Sequence, residues 1–253
     1  DILVVSDSDI RVPSDYLRRV VAPLSDSNVG LVTCLYRGVA SGTLGSRLES
    51  LGISTDFIPG VLAARAIEGG IRFGLGSTLA FRRQELQAVG GFESFADYLA
   101  DDYELGKRIA ALGKEVKISD VIVETFLPRY EMSEFLQHQL RWARTVRDAR
   151  PWGYAGLGLT FGLPWALLAV AATYGASWTW GLLIAGLAMR LGVTFAVGWR
   201  VLRDRQAITM LPLLPLRDIV ALLVWTVSFV GHTVVWRGDP FQLKQGKLTR
   251  AGR

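Results

Sequence analysis

The spacing of hydrophobic positions changes several times along the first half of the chain. A continuous apolar run, ILVV (2–5), is typical of a short strand buried on both faces of a parallel sheet. Helical spacing follows over 13–24, with Ser14 or Asp15 as a candidate N-cap, and strand character returns over 29–38. A strand, a helix and a strand of this length predict a βαβ unit, so the sequence predicts an α/β domain here.

Helical and strand-like segments continue to alternate up to residue 150. The predicted order is a weakly helical segment over 41–70, a strand and a helix over 76–92, a helix over 99–113, a strand over 115–128 and a helix over 131–150. The last helix has one apolar side and a strongly basic end, which is typical of a helix that lies at a membrane surface.

A long uncharged stretch follows. From residue 151 to 189 there is no Asp, Glu, Lys, Arg or His. The segments 154–173 and 178–199 are each about long enough to cross a hydrocarbon core of ~30 Å, and the short connection between them predicts a transmembrane hairpin. A very apolar pair of helices in a soluble core is the alternative. Tryptophans, which favour the water–lipid interface, lie at the ends of both segments: Trp152, Trp178, Trp180 and Trp199.

A third apolar segment, 219–236, leaves the topology open. It is preceded by ITMLPLLPLRD (208–218), in which Pro212 and Pro215 argue against a regular helix and for a re-entrant or interfacial piece. If 219–236 spans, the basic tail after it lies outside, although basic tails tend to stay inside. The tail stays inside if 206–216 also enters the membrane.

Composition narrows the class of protein. The 253 residues are about half hydrophobic, and the net charge is +5 with a pI near 9.6. The basic residues flank the apolar runs and form no Lys-rich arm, so we expect a membrane partner and no nucleic acid. A single cysteine, Cys34, excludes an intrachain disulfide or a Cys-based zinc site, and it is predicted to be a buried strand residue.

Two carboxylates, Asp7 and Asp9, follow the first predicted strand directly. In an open α/β sheet, ligands bind outside the carboxyl ends of the strands, and the run at 2–5 delivers the pair to that edge. Alternate carboxylates can hold one hard divalent cation and leave other coordination positions for a diphosphate. The same pattern also fits a solvated acidic turn, so both interpretations stay open.

A second acidic pair, Asp101 and Asp102, stands at the start of the helix predicted over 99–113. The helix dipole favours carboxylates at an N-terminus, so capping is one explanation. The other is catalytic: one acid acts as a general base that the helix positions, while the other faces away or orients a neighbour.

The third cluster is HQLRW (138–142), near the basic end of the helix predicted over 131–150. Arg141 can balance a phosphate, and Trp142 can offer a flat face to a sugar or a lipid head group. An Arg–Trp pair beside a membrane is also typical of an interfacial anchor.

The order, spacing and setting of these clusters match a known family. The chain resembles the membrane-bound inverting glycosyltransferases of family 2, most closely the ceramide glucosyltransferase-like branch that includes bacterial hopanoid-biosynthesis glycosyltransferases. The stretches that carry the resemblance are SDSDIRVP (6–13), GLGSTLAFRR…LQAVGGF (74–92), ADDYELGKRIAALG (100–113), HQLRW (138–142) and VVWRGDPFQL (234–243).

The resemblance implies an α/β fold with three parts: a partial GT-A (Rossmann-like) nucleotide-sugar domain over 1–130, an amphipathic interfacial helix over 131–150, and transmembrane or re-entrant helices with a basic tail over 151–253. It implies that Asp7 and Asp9 bind a divalent cation, Mg²⁺ or Mn²⁺, and the donor diphosphate. Asp102 would be the catalytic base. The implied substrate-binding residues are Asp101, His138, Arg141 and Trp142.

The implied reaction is the inverting transfer of glucose or N-acetylglucosamine from a UDP-sugar to a hydroxyl of a membrane lipid such as ceramide or a hopanoid. The implied location is a multi-pass membrane protein whose catalytic domain faces the cytoplasm, at the inner membrane if bacterial. A processive polysaccharide synthase and a noncatalytic membrane-anchored binding protein are the alternatives. Convergence of Asp7, Asp9 and Asp102 around one cleft distinguishes the enzyme from the noncatalytic protein, and the enzyme hypothesis fails if they lie far apart on separate faces.

The chain departs from the family pattern in two respects. The motif at 138–142 usually begins with Gln or Arg, whereas here it begins with His138. A histidine can still donate to a phosphate. The family's first strand, its uridine-contacting acid and its N-terminal membrane helix would lie before Asp1, so the resemblance implies the C-terminal portion of a longer enzyme.

Overall fold

The computed structural model describes residues 1–236, 239–244 and 246–250, and these form two compact units. The first unit comprises Asp1–Ala40 and Asp56–Leu127, and the second comprises Ser41–Thr55 and Pro128–Arg253. The motif at 234–243 includes residues 237 and 238, which lie outside the described residues. The two units are described separately below.

Helices and strands alternate through the first unit, and helices dominate the second. The helices are α1 (Tyr16–Val21), α2 (Leu44–Gly52), α3 (Ile58–Glu68), α4 (Arg83–Ala88), α5 (Asp101–Ala111), α6 (Met132–Ala149), α7 (Pro151–Gly156), α8 (Gly162–Ala172), α9 (Ser177–Val193), α10 (Arg205–Thr209) and α11 (Leu214–Ser228). The strands are β1 (Ile2–Val5), β2 (Ile10–Arg11), β3 (Val29–Val39), β4 (Leu79–Arg82), β5 (Glu115–Phe126), β6 (Thr233–Trp236), β7 (Asp239–Lys244) and β8 (Lys247–Arg250).

The first unit is built on a mixed five-stranded sheet in the order β1-β4-β3-β5-β2. The long strands β3 and β5 pair in parallel, and the other described pairs are antiparallel. β3 is buried along most of its length, including Cys34, whose side chain is fully buried as the sequence predicts. This arrangement confirms the α/β class.

The first strand differs from the prediction. β1 is an edge strand that pairs only with β4 among the described strands, in antiparallel orientation, and both Ile2 and Val5 are exposed. The predictions that this strand is buried on both faces and that it has a parallel neighbour are therefore wrong. β1 and β3 do run in the same direction, but β4 lies between them. The apolar run misled the prediction because a short run of four apolar residues also suits an edge strand.

Other elements of the first unit match their predicted positions. β4 leads directly into α4, which ends before Gly90 and Gly91, both at positive φ, as the glycine stop predicts. α5 starts at Asp101 and ends before Gly113, which also has a positive φ. Since Pro128 follows β5 closely, the strand stops at Phe126.

The second unit is organised around α6. The Glu131 side chain accepts from the backbone at Glu134, whose own side chain accepts from the Glu131 N–H, and this capping box starts the helix. α6 packs against α2 and α11. Not all basic side chains at its C-terminal end are exposed, because Arg147 is buried and donates to the carbonyls of Ser228 and Gly231.

Two helices are long and apolar enough to cross a membrane, Ser177–Val201 and Leu211–Ser228. The first agrees with the segment predicted over 178–199. The second begins at residue 211, so the irregular segment predicted over 208–218 is wrong from residue 211 onward. Pro212 and Pro215 lie in the first turns of this helical segment, where a missing N–H costs nothing.

Two further predictions need correction. The segment 154–173 is not one straight helix: Pro151–Thr160 and Gly162–Ala172 are bent by 53° at the break, which suits either a broken span or a re-entrant loop. The helix predicted over 219–236 stops at Ser228, and residues 233–236 form β6. β6, β7 and β8 make a small antiparallel sheet.

Candidate functional site

The acidic turn after β1 lies beside the loop that precedes β4. Val5 pairs with Leu79, so the end of β1 and the start of β4 meet at one edge of the sheet. Gly76 is in the loop before β4, and a β-carbon there would lie 3.4 Å from Asp7 Oδ2 and 3.3 Å from Asp102 Oδ2. The carboxylates of Asp7 and Asp102 therefore border the same glycine.

Glycines bring the N-terminus of α5 to this point. A β-carbon on Gly106, in α5, would overlap the backbone of Phe73 and Gly74. A β-carbon on Gly74 would lie 2.8 Å from the carbonyl oxygen of Asp102. Because neither position has a side chain, the first turn of α5 contacts the loop directly and Asp102 reaches the sheet edge.

Asp102 is the partly buried member of the acidic group. Its Oδ1 accepts from the Tyr103 N–H at 2.7 Å, and its side chain also accepts from the Gly76 N–H. Desolvation raises the pKa of Asp102 to about 6, and the charges of Asp101 and Asp7 add to this, while the two backbone hydrogen bonds oppose it. A carboxyl group with this pKa is suited to exchange a proton near neutral pH.

The other three acids are exposed. Loss of hydration raises the pKa of Asp7, and the charges of Asp9 and Asp101 raise it further. Asp9 Oδ2 accepts from the Thr125 hydroxyl at 3.2 Å, which ties the turn to β5. Asp101 Oδ1 accepts from the Asp102 N–H at 2.9 Å. The four carboxylates thus form one region of concentrated negative charge in the first unit.

The donor set suits a divalent cation that is shared with a substrate. Among the described residues there is no group of three or more His, Cys, Asp or Glu side chains that is placed to hold a metal ion. Mg²⁺ is commonly bound through one or two carboxylates together with substrate phosphates and water, which does not need such a group. The mutual repulsion of Asp7 and Asp9 is the kind that a cation relieves.

The second unit contains an open groove of about 410 Å³ between the chain leaving β5 and the first half of α6. Arg129, Tyr130, His138, Arg141 and Val235 are among the residues that line it. His138 and Arg141 are three residues apart on α6, so they share one face of the helix.

His138 is held on three sides. Its Nδ1 lies 3.1 Å from Oε2 of Glu49, a buried residue of α2. Its ring stacks on Tyr130, with centroids 5.5 Å apart, and is tilted against Trp142 at 5.6 Å. Desolvation lowers the pKa of Arg141, and the nearby groups of Tyr130 and Glu49 act in the opposite direction.

The predicted site residues thus fall into two groups, each within one unit. Asp7, Asp9, Asp101 and Asp102 lie together in the first unit, and His138, Arg141 and Trp142 lie together in the second. Sequence reasoning missed Gly76 and Glu49. Gly76 had a local signal, because it belongs to a glycine-rich turn before a strand. Glu49 had none, since its partner His138 lies 89 residues away.

Comparison with known proteins assigns the family. A family model described as glycosyl transferase family 21 matches residues 1–249. Among solved structures, mannosyltransferase PcManGT from Pyrobaculum calidifontis, in complex with GDP-Man and Mn²⁺, is similar with a TM-score of 0.46 and 22% identity. The alignment covers 88% of this chain and 61% of that one. The expected membership in a ceramide glucosyltransferase-like family is confirmed, but the family number is 21 rather than 2. The chain belongs to glycosyl transferase family 21.

Proposed function

We propose that the protein is an inverting, metal-dependent glycosyltransferase with a GT-A-type donor domain. It transfers glucose or N-acetylglucosamine from a UDP-sugar to a hydroxyl group of a membrane lipid such as ceramide or a hopanoid. The observation that carries the proposal is the convergence of Asp7 and Asp102 on Gly76 in a chain of this family. The candidate membrane helices support a lipid as the acceptor.

In this proposal Asp102 is the general base. Its carboxylate accepts the proton of the acceptor hydroxyl while the hydroxyl oxygen attacks the anomeric carbon from the face opposite the leaving nucleotide. The two N–H groups that bind Asp102, from Tyr103 and Gly76, hold its carboxylate in one orientation. Configuration at the anomeric carbon inverts because the bond to the diphosphate oxygen breaks as the new bond forms on the other face.

Asp7 and Asp9 would hold the divalent cation together with the donor diphosphate. The cation, when bound, offsets the charge that builds on the leaving diphosphate. Asp101 would bind substrate beside Asp102. In the second unit, His138 and Arg141 would donate to anionic oxygens of the substrate, and Trp142 would contact the acceptor. The catalytic unit is proposed to face the cytoplasm, where nucleotide sugars are made.

A single substitution tests the base assignment. Asp102→Asn keeps the size and one hydrogen-bond acceptor but cannot take a proton, so we expect transfer to fall by at least about 100-fold. UDP binding in the presence of Mn²⁺ should change by less than about threefold. The matched control is Asp97→Asn, an exposed acid of the same unit, which should transfer at the normal rate. Near-normal turnover by the Asp102 variant would remove this residue from the base role.

A product analysis tests the substrates. Membranes containing the protein are incubated with UDP-glucose, UDP-N-acetylglucosamine or GDP-mannose, and the lipids formed are identified by mass spectrometry. We expect a monoglycosylated lipid from one UDP-sugar. Products that grow by more than one sugar would favour the processive alternative, and transfer from GDP-mannose alone would contradict the proposed donor.

A further inference from the structure

A buried acid that the proposed function does not use contacts His138, one of the residues that line the groove of the second unit. Glu49 is 5% exposed, and its carboxylate contacts Nδ1 of His138 at 3.1 Å. Burying a carboxylate is unfavourable unless it is paired and hydrogen-bonded. Glu49 is therefore placed specifically against His138, and the pair needs an explanation in terms of the groove.

The packing of α2 on α6 makes this contact possible. Gly45 lies one helical turn before Glu49 and on the same face of α2. A β-carbon at Gly45 would lie 2.9 Å from Cβ of Phe135 and 3.2 Å from Cβ of Tyr130. Because position 45 has no side chain, α2 comes close enough for the carboxylate of Glu49 to reach the ring of His138.

The same contact determines which nitrogen of His138 is available. Nδ1 is taken by Glu49, and the rings of Tyr130 and Trp142 restrict rotation of the imidazole. Nε2 is then the nitrogen left for a ligand in the groove that His138 lines. Arg141, on the same face of α6, also lines the groove and is within the electrostatic influence of Glu49.

On the basis of the proposed function, we propose that Glu49 is a positioning residue for recognition of a substrate phosphate group by the groove of the second unit. Its carboxylate holds the imidazole of His138 so that Nε2 and the guanidinium of Arg141 both point N–H donors at phosphate oxygens in the groove. A carboxylate and a phosphate oxygen are both acceptors, so the ring serves both only as the imidazolium, with one N–H for each.

A spectroscopic experiment tests the proposal without turnover. The chain contains two histidines, so ¹⁵N-histidine labelling of the detergent-solubilised protein gives two rings to follow. His232 is the internal control, because its Nδ1 faces Arg147. Adding inorganic pyrophosphate should move the Nε2 resonance of His138 and leave His232 unchanged. Glu49→Gln should abolish that movement.

A double-mutant cycle provides the matching binding measurement. Glu49→Gln should weaken pyrophosphate and UDP binding roughly tenfold, the loss expected for a hydrogen bond to a charged group. His138→Gln restores a residue type usual for the family motif and needs no buried acid. In that background Glu49→Gln should cost less than about twofold. Glu93→Gln, an exposed acid elsewhere, is the matched control and should bind normally.

The outcomes separate this proposal from the proposed function. It is overturned if pyrophosphate never perturbs His138, if the perturbation survives Glu49→Gln, or if the cost of Glu49→Gln is equal in both backgrounds. Perturbation of His138 by phosphatidylglycerol vesicles in place of pyrophosphate would also overturn it. Should Glu49→Gln not fold, the shorter Glu49→Asp should still weaken pyrophosphate binding at least threefold. A protein that fails to transfer sugar but passes these tests refutes only the proposed reaction.

Discussion

At the residue scale, Asp102 differs from its acidic neighbours in its surroundings rather than in its chemistry. Asp7, Asp9 and Asp101 are exposed, whereas Asp102 is partly buried at the first turn of α5 and borders Gly76. Loss of hydration and the neighbouring charges both favour its neutral form. The pKa of such an acid lies close to neutral pH in the metal-free protein, and its ionised form is stabilised when a cation binds nearby. It is therefore suited to base catalysis that depends on the bound donor.

This environment predicts a specific dependence of stability on pH. In metal-free protein the folded state holds the Asp102 proton up to about pH 6, whereas the unfolded chain loses it near pH 3.8. The folded state therefore binds more protons between these values, and the contribution of Asp102 to the free energy of unfolding falls as pH rises through this window. The loss is at most about 3 kcal/mol.

Chemical unfolding in EDTA between pH 4 and 7 measures the effect. Asp102→Asn should flatten this part of the pH dependence, and Asp97→Asn should not. Asp101→Asn removes one of the charges that raise the pKa of Asp102, so the pH range over which stability falls should end at a lower pH. An unchanged profile in the Asp102 variant would show that another group causes the pH dependence.

Much of the acidic site could be predicted from the sequence, because its signals are local. Asp101 and Asp102 occur at the start of a periodic helix, and Asp7 and Asp9 follow an apolar run. The contacts with Gly76 could not be predicted, since they depend on how closely α5 approaches the loop before β4. That approach is decided by Gly74 and Gly106, whose positions in the sequence do not show which backbone segments they bring together.

At the element scale, a buried ion pair joins two of the most apolar helices of the second unit. Arg190 of α9 donates to both carboxylate oxygens of Asp218 of α11, at 2.8 and 2.6 Å. The same guanidinium donates to the carbonyl oxygen of Thr55 at 2.8 Å. Both side chains are largely buried. The pair therefore links the two candidate membrane helices to the segment 41–55.

Substituting one partner of this ion pair should lower the stability of the protein more than substituting both. Arg190→Ala or Asp218→Ala leaves an uncompensated buried charge, and we expect each to cost about 3–5 kcal/mol of stability. Arg190→Leu with Asp218→Leu removes both charges and should cost less than either single change. Thermal unfolding in detergent compares them, with Arg65→Ala, at an exposed position of α3, as the control. A double variant as unstable as the sum of the singles would contradict this account.

The sequence predicted most helices of this unit but not their ends. The helix beginning at Leu211 contains two prolines in its first turns, which sequence reasoning took as a sign of irregular structure. Proline is tolerated there because the first N–H groups of a helix have no intrahelical partner. The bend after Thr160 does have a sequence signal that the prediction of one helix over 154–173 overlooked, because Pro164 has no N–H to donate to the carbonyl of Thr160.

At the scale of the whole molecule, large apolar side chains remain exposed along the candidate membrane helices. Trp178, Ile184 and Met189 are each more than 60% exposed, as are Trp152 and Leu159 before them. A water-soluble protein rarely exposes so much continuous apolar surface. These surfaces agree with a bilayer partner and support the proposed membrane location.

The single cysteine makes the topology directly testable. Cys34 is fully buried, and desolvation raises its pKa to about 11, so we expect it not to react with a membrane-impermeant maleimide at pH 7. Tyr174→Cys, in the fully exposed connection before α9, and Lys247→Cys, in the C-terminal tail, then report the side on which each residue lies.

Labelling of intact and opened vesicles distinguishes the topologies. If Ser177–Val201 is a single crossing and Leu211–Ser228 another, positions 174 and 247 should label from the same side. Labelling from opposite sides would mean that one of these helices does not cross the membrane. Rapid labelling of Cys34 in the native protein would contradict its buried position.

The contact between Arg190 and Asp218 also bears on how the protein is made. Asp218 is synthesised 28 residues after Arg190, so its side chain is still inside the ribosome when the arginine emerges. An isolated arginine in the middle of a hydrophobic segment makes insertion of that segment unfavourable. If both helices span the membrane, as we propose, we expect α9 to wait at the insertion machinery until α11 has also emerged, and the two helices to enter the membrane as one unit.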